Sequence, residues 1–258
     1  MSPGRIARLS ILLCLATAGF ATAGEERTPI NPDRPDLTNG PSTVAAGQIQ
    51  IEAGSTVTDA GSSRALSVGE VLVRLGLGSD FELRLGLNSW DRVRDGGRVS
   101  SGWEDVSVGC KLGLWAGRPD RGLPALGLLL ASDLPTGSVG FGAGAPQPQV
   151  LLLAEWALGA DTSLGVNLGW SRLREDERRF DQGLASASLS FPLAGRTGAF
   201  VELYALAPES RGGPATRYLD AGLTYLLGND VQLDLRLGAG LNQAAARGFA
   251  GAGVAVRW

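Results

Sequence analysis

The sequence predicts an all-β protein, an antiparallel up-and-down transmembrane β-barrel of about 12 strands preceded by an N-terminal extended arm. Three observations support this fold. Apolar and polar residues alternate strictly along successive segments, most segments have the ~9–11 residues that a tilted membrane strand needs, and the connections alternate between short and long.

The alternation is clearest in two segments. From Phe81 to Leu87 the odd positions are all apolar and the even ones are Glu82, Arg84 and Gly86, and Val231–Leu237 repeats the pattern with Gln232, Asp234 and Arg236. Successive side chains of a strand point to opposite faces, so each segment has one apolar and one polar face. No Asp, Glu, Lys or Arg interrupts the apolar phase, which predicts that this face contacts lipid.

The N-terminus has the features of a secretory signal peptide. A basic start, the apolar run Ile11–Ala18 and the small residues Ala21-Thr22-Ala23 predict cleavage after residue 23, so the signal peptide is expected at 1–23. The mature chain would keep one cysteine, Cys110, and could form no intramolecular disulfide.

Residues 24–47 are rich in Pro, Asp and Asn, which predicts an extended arm, either periplasmic or plugging the lumen. The transmembrane barrel is expected at 48–258. Its strands are predicted at 48–57, 66–76, 81–89, 105–114, 125–133, 149–158, 163–171, 183–191, 198–205, 218–227, 231–240 and 249–258.

The connections give the barrel an orientation. The short ones are Leu77–Asp80, Gly159–Thr162, Pro192–Thr197 and Gly228–Asp230, with Trp115–Pro124 as an exception. The long ones are Trp90–Glu104, Leu134–Pro148, Arg172–Gln182 and Ala207–Arg217. Outer-membrane barrels have short periplasmic turns and long external loops, so both termini are expected on the periplasmic side.

Aromatic residues on the apolar face agree with this orientation. Trp170 is predicted at the outer rim. The set predicted at the periplasmic rim is Phe81, Trp156, Phe191, Tyr225 and Trp258. Aromatic side chains prefer the membrane interface, where one edge is wet and the other apolar.

The polar phase would line the lumen. The lumen-lining candidates are Glu70, Arg74, Glu82, Arg84, Lys111, Asp133, Glu155, Glu202, Tyr204, Tyr218, Asp220, Asp234 and Arg236, and the plug or gate candidates are Asp33, Arg34 and Asp36. The charges either select a permeating solute by their transverse field or pair into a network that fills the lumen, and the second reading is favoured for most of them. Inward glycines would leave room for a solute or for the arm.

Enzymatic functions are disfavoured because the chain contains no histidine, so His-dependent triads and His metal sites are absent. We expect no enzyme activity, no cofactor and no metal. The net charge of −3 without a basic block gives no reason to expect nucleic acid as a partner.

Several stretches resemble a family of outer-membrane β-barrel transporters described as meta-pathway phenol-degradation proteins. The resemblance rests on the order and spacing of short motifs: Asp33-Arg34-Pro35-Asp36-Leu37-Thr38, Glu82-Leu83-Arg84-Leu85-Gly86, Leu134-Pro135-Thr136-Gly137 and Asp220-Ala221-Gly222-Leu223-Thr224-Tyr225. It runs from residue 33 to Trp258 and implies an outer-membrane barrel and a transport role.

The expected function is therefore an outer-membrane channel for passive passage of small solutes, with hydrophobic or aromatic compounds as candidates. The alternatives are a plugged barrel with a structural or interaction role and a soluble periplasmic sandwich. The expected location is the outer membrane of a Gram-negative-type bacterium. The expected partners are outer-membrane lipid, a small-molecule solute, and the barrel-assembly machinery through the last strand, which ends at Trp258.

Overall fold

The computed structural model describes residues 28–159 and 161–258; the predicted signal peptide lies outside them. The described chain forms thirteen strands, β1 to β13, and one turn of 3-10 helix at Pro119–Arg121. The strands are Ile49–Asp59, Ser63–Gly76, Phe81–Asp95, Arg98–Trp103, Ser107–Trp115, Ala125–Asp133, Gln147–Gly159, Thr162–Glu175, Arg178–Ala194, Thr197–Ala207, Thr216–Leu226, Val231–Gly240 and Gly248–Arg257. Among these residues, no helix is long and apolar enough to cross a membrane.

The strands close into an antiparallel barrel. β1 pairs with β2 on one side and with β13 on the other, so the sheet has no free edge at the seam. β3 pairs with β5 along Phe81–Gly86 and with β4 along Trp90–Asp95, so β4 and β5 together fill one position of the ring. The described chain therefore forms a closed barrel of twelve strand positions, which confirms the predicted fold class.

Two of the predicted long loops are wrong. The segment 90–104 is a hairpin in which β3 continues to Asp95 and turns into β4, and the segment 172–182 is the turn between β8 and β9, which pair as far as Glu175 and Arg178. The apolar alternation on which the prediction relied stops at the membrane boundary, but the backbone pairing continues into solvent. The predicted strands therefore end too early on the side of the long loops.

The burial pattern is the inverse of that in a soluble protein. Leu235 and Leu237, on the outward face, are 58% and 69% exposed, whereas the inward Lys111 and Glu202 are 0% exposed. Charged residues are almost never buried unless they are paired, so the interior must supply partners for them. The apolar outside and charged inside fit a barrel surrounded by lipid.

Candidate functional site in the barrel lumen

The N-terminal arm crosses the inside of the barrel and is held largely by side chains of the wall. The backbone N–H groups of Asp33 and Arg34 donate to the carboxylate of Glu52 on β1 at 3.0–3.1 Å. Farther along, the Val44 N–H donates to Glu82 on β3 at 2.8 Å. A buried N–H needs an acceptor, and here wall carboxylates take the place of a neighbouring strand.

The middle of the arm is anchored to the opposite wall. The N–H groups of Leu37 and Thr38 donate to Glu202 on β10 at 2.8 and 2.7 Å. Asn39 donates its N–H to Asn167 Oδ1 on β8 at 2.7 Å, and Asn167 Nδ2 donates back to the Asn39 carbonyl at 2.9 Å. The Asn167 amide thus recognises a backbone unit as a neighbouring strand would, and fixes the arm's register.

Asp33 lies at the centre of a charge cluster, which we call the Asp33 cluster. Lys111 Nζ is 2.8 Å from both Asp33 carboxylate oxygens, Arg84 donates to the same carboxylate, and Arg74 lies 3.6 Å away. Burial alone would raise the pKa of the Asp33 carboxyl, but these cations outweigh burial and hold the pKa well below its usual range. The cluster pairs three cations with three carboxylates, so its charges balance. Besides Asp33, its members are the wall residues Arg74, Arg84, Lys111, Glu52 and Glu82.

Arg34 joins the arm to two further wall carboxylates. Its guanidinium is 3.0 Å from Glu70 on β2 and 3.2 Å from Asp234 on β12. Two inward glycines make room for it: a Cβ on Gly54 would lie 2.3 Å from the guanidinium carbon, and one on Gly253 would lie 2.4 Å from Nε. Glycine therefore occurs here because a charged side chain of the arm lies directly against the backbone of the wall.

Acidic side chains meet beside the Thr38 anchor. Glu202 on β10 is directly opposite Asp220 on β11, and neither carboxylate oxygen of Asp220 has a hydrogen-bond partner among the described residues. Asp36 of the arm is enclosed in the lumen, close enough to Glu202 and Asp220 for electrostatic interaction with both. Burial and the Glu202 charge raise the pKa of Asp36 well above its usual value. Within the described ranges, no three His, Cys, Asp or Glu side chains are arranged to hold a metal ion.

An aromatic cluster occupies the lumen on the side of the long loops. The rings of Tyr204 and Tyr218 stack with their centroids 4.8 Å apart, and Phe249 packs edge-on to Tyr218 at 6.3 Å. Arg236 lies 5.3 Å above the Phe249 ring and donates to the Pro35 carbonyl of the arm at 3.0 Å. The aromatic cluster and the arm are thus joined through one arginine.

The remaining predicted lumen residues divide into two groups. Glu155 on β7 lies beside the arm, since a Cβ on Gly40 would be 3.3 Å from its Oε2. Asp133 lies at the long-loop end of β6, opposite Ser107, away from the arm. The structure therefore brings Asp33, Arg34 and Asp36 together with most of the predicted lumen residues. Asp133 lies apart from them, and the tyrosine pair is linked to the arm through Phe249 and Arg236.

Two cavities lie between the arm and the long loops. One of about 190 Å³ is lined mainly by apolar side chains of the wall, with Leu37 and Asn39 of the arm beside it; the wall residues include Leu72, Leu129, Leu151, Leu184, Arg84 and Gln149. A second, of about 310 Å³, shares Leu72 and Ser107 with it and extends toward Glu70, Asn88 and Glu104. The two cavities are neighbours, since Leu72 and Ser107 line both.

Sequence reasoning missed the neutral residues that hold the arm. Asn167, Ser186 and Thr38 make hydrogen bonds in the lumen as short as those of the charged groups. The alternation on β8 and β9 could have placed Asn167 and Ser186 on the inward face. Nothing in the sequence, however, shows which wall residue each arm residue meets.

These features define the protein as a β-barrel of the outer-membrane type whose lumen holds its own N-terminal arm. The family described as "Putative MetA-pathway of phenol degradation" matches residues 32–258, and the chain belongs to this family. The resemblance inferred from the sequence motifs is thereby confirmed. No curated protein matches the chain in sequence.

Solved structures with the same fold are outer-membrane proteins. An outer membrane channel from Pseudomonas putida F1 matches with a TM-score of 0.64 and 14% identity, covering 89% of this chain and 100% of its own. The NanC porin matches with a TM-score of 0.52 and 9% identity, covering 81% and 98%. The translocator domain of the autotransporter NalP from Neisseria meningitidis matches with a TM-score of 0.51 and 14% identity, covering 82% and 88%. At these identities the likeness establishes the barrel fold.

Proposed function

We propose that the protein is a passive outer-membrane channel for small apolar or aromatic solutes, and that the N-terminal arm closes its path. The carrying observation is the course of the arm: its backbone is hydrogen-bonded to β1 and β3 on one side of the lumen and to β8 and β10 on the other. A solute that entered from the long-loop side would meet the arm before it reached the periplasm.

The cavity next to the arm supports the solute class. Its wall includes four leucines, and an apolar cavity of about 150 Å³ is known to hold benzene, so about 190 Å³ is enough for one small ring. Arg84, Asn39 and Gln149 at its edge offer a few polar contacts that could orient a hydroxyl group. The family description names phenol degradation, and the compared outer membrane channel and porin support a channel role.

Passage requires the arm to move. The contacts that hold its middle include ion pairs and hydrogen bonds to the wall. Its buried apolar residues Ile30 and Val44 lie near its ends. Polar contacts can be exchanged for water one at a time, so the middle of the arm can be released without unfolding the barrel. We therefore assign the gate to residues 33–39.

A reversible crosslink tests this proposal. Thr38 Oγ1 and Ser186 Oγ are 2.7 Å apart, so cysteines at these positions would join the arm to β9. In a Cys110→Ser background, the double variant Thr38→Cys/Ser186→Cys should block entry of a small phenol into liposomes when oxidised and recover it on reduction. Each single cysteine variant is the matched control and should be insensitive to oxidant.

The competing function is a permanently plugged barrel with a structural role. The balanced charges of the Asp33 cluster favour it, because a fully paired network has no need to open. Planar-bilayer conductance separates the two functions. If neither the full-length barrel nor a variant lacking residues 24–47 carries current or takes up solute, the channel proposal is wrong.

A further inference from the structure

The β3–β4 hairpin carries the barrel wall beyond the membrane band and presents a distinctive outward face. Trp90 and Trp103 are directly opposite each other across this hairpin, and Trp103 is 59% exposed. They share the outward face with Val68, which pairs with Trp90 on the side of β2. A pair of outward tryptophans above an apolar band is typical of a membrane interface.

Three arginines follow on the same face. Arg92 and Arg94 lie two and four residues beyond Trp90, which places them about 7 and 13 Å farther along the strand. Arg64 on β2 is directly opposite Arg94. Like charges at opposed positions of a sheet are destabilising, so this arrangement calls for an anion between them.

The protein itself supplies little negative charge at this place. Arg64 has one exposed partner, Asp59, at 3.3 Å. The guanidinium groups of Arg92 and Arg94 make no ion pair or side-chain hydrogen bond with any residue in the described part of the chain, and both side chains are exposed.

The β8–β9 hairpin, which also rises above the membrane band, offers an internal comparison. Above the exposed Trp170, Arg172 is paired with Asp181 at 2.6 Å. Arg174 donates to the carbonyls of the neighbouring loop at 2.9 and 3.2 Å, and Arg179 donates to another at 3.2 Å. Arginines two and four residues beyond an outward tryptophan therefore have polar partners on the β8–β9 hairpin and none within the described residues on the β3–β4 hairpin.

We propose that Arg64, Arg92 and Arg94 bind the phosphate groups of an anionic lipid in the membrane leaflet on the long-loop side. Guanidinium groups bind phosphate oxygens in pairs of parallel hydrogen bonds. Trp90 and Trp103 lie below the arginines at the level where headgroup and acyl chain meet, and the outward leucines and valines below them would contact the chains. The inference rests on the placement of the barrel in the membrane and is independent of whether the lumen conducts.

Lipid binding to the purified full-length barrel tests the site. The probe is a bis-phosphorylated, acylated glucosamine disaccharide, titrated in detergent and followed by native mass spectrometry. Arg92→Gln/Arg94→Gln should bind it at least about tenfold more weakly than the wild type, a loss of about 1.4 kcal/mol. The matched control, Arg172→Gln, removes a paired outward arginine and should bind as the wild type does. Heat-modifiable migration verifies that all variants are folded.

Two further measurements identify the source of the phosphate. The dephosphorylated glycolipid should lose most of the affinity, and free inorganic phosphate should not displace the lipid at equal concentration. Equal binding by the wild type and the double variant, equal binding of the dephosphorylated lipid, or displacement by inorganic phosphate would each overturn the proposal.

Discussion

Substituting Asp33 by Asn is the most direct perturbation of the arm. The amide keeps the size of the carboxylate but removes the charge that Lys111 contacts at 2.8 Å and that Arg84 also pairs with. The Asp33 cluster would then hold one uncompensated buried cation. Removing one partner of a buried ion pair costs about 3–5 kcal/mol. The lower figure, about 3 kcal/mol, corresponds to roughly a hundredfold shift toward the released arm.

Thiol accessibility measures this shift. In a Cys110→Ser background, Thr38→Cys places the reporter in the buried middle of the arm, where Thr38 is 7% exposed. A membrane-impermeant thiol reagent should label it about a hundredfold faster when Asp33→Asn is added. Asp120→Asn, the same chemical change at a carboxylate that is 67% exposed, is the control and should leave the rate unchanged. Equal rates in both variants would refute the view that charge pairing at Asp33 holds the arm.

The remaining predictions concern the pH response and two further anchors. Because the pKa of Asp36 is raised above 3.8 by burial and by Glu202, the docked arm retains a proton that the released arm loses, so docking weakens as pH rises from 3.8 toward the raised pKa. Conductance should rise over that window by at most about tenfold per pH unit, and Asp36→Asn should reduce the dependence; an unchanged profile would contradict this assignment. Glu202→Gln keeps only part of the acceptor capacity for the arm N–H groups and should increase open probability at any pH, with a loss of about 1.5–3 kcal/mol in docking. Gly54→Ala should displace the Arg34 guanidinium and raise conductance without lowering the melting temperature of the barrel. Gly78→Ala, at a position with open space around it, is the control and should leave both conductance and melting temperature unchanged.

The barrel could be predicted from the sequence because lipid imposes a strict rule on every strand. A single charge on the outward face of β3 or β12 costs about 2–4 kcal/mol when it is Arg or Lys at the membrane midplane, so the alternation is unbroken there. Strand number, inward phase and rim aromatics follow from that rule. Beyond the membrane the rule ends, which is why the hairpin formed by β3 and β4 was predicted as a loop.

The course of the arm could not be predicted for a different physical reason. Its contacts are specific hydrogen bonds between irregular backbone and wall side chains, such as the one from Thr38 to Glu202, and these have no sequence period. The composition of the arm and the inward glycines indicated that something could lie in the lumen. Only the structure pairs Arg34 with Asp234 and Asp33 with Lys111.

The pairing of Arg34 with Asp234 joins residues 200 positions apart, and it constrains the order of assembly. The arm precedes β1 in the chain, but its partners lie on strands as late as β13, where Arg257 donates to the Thr28 carbonyl at 2.7 Å. Its full set of contacts therefore exists only when nearly the whole wall has formed. Because closing so long a chain segment is entropically slow, we expect the arm to dock as the last step of barrel maturation. A barrel caught before that step would already be sealed against the lipid while its interior charges were still hydrated.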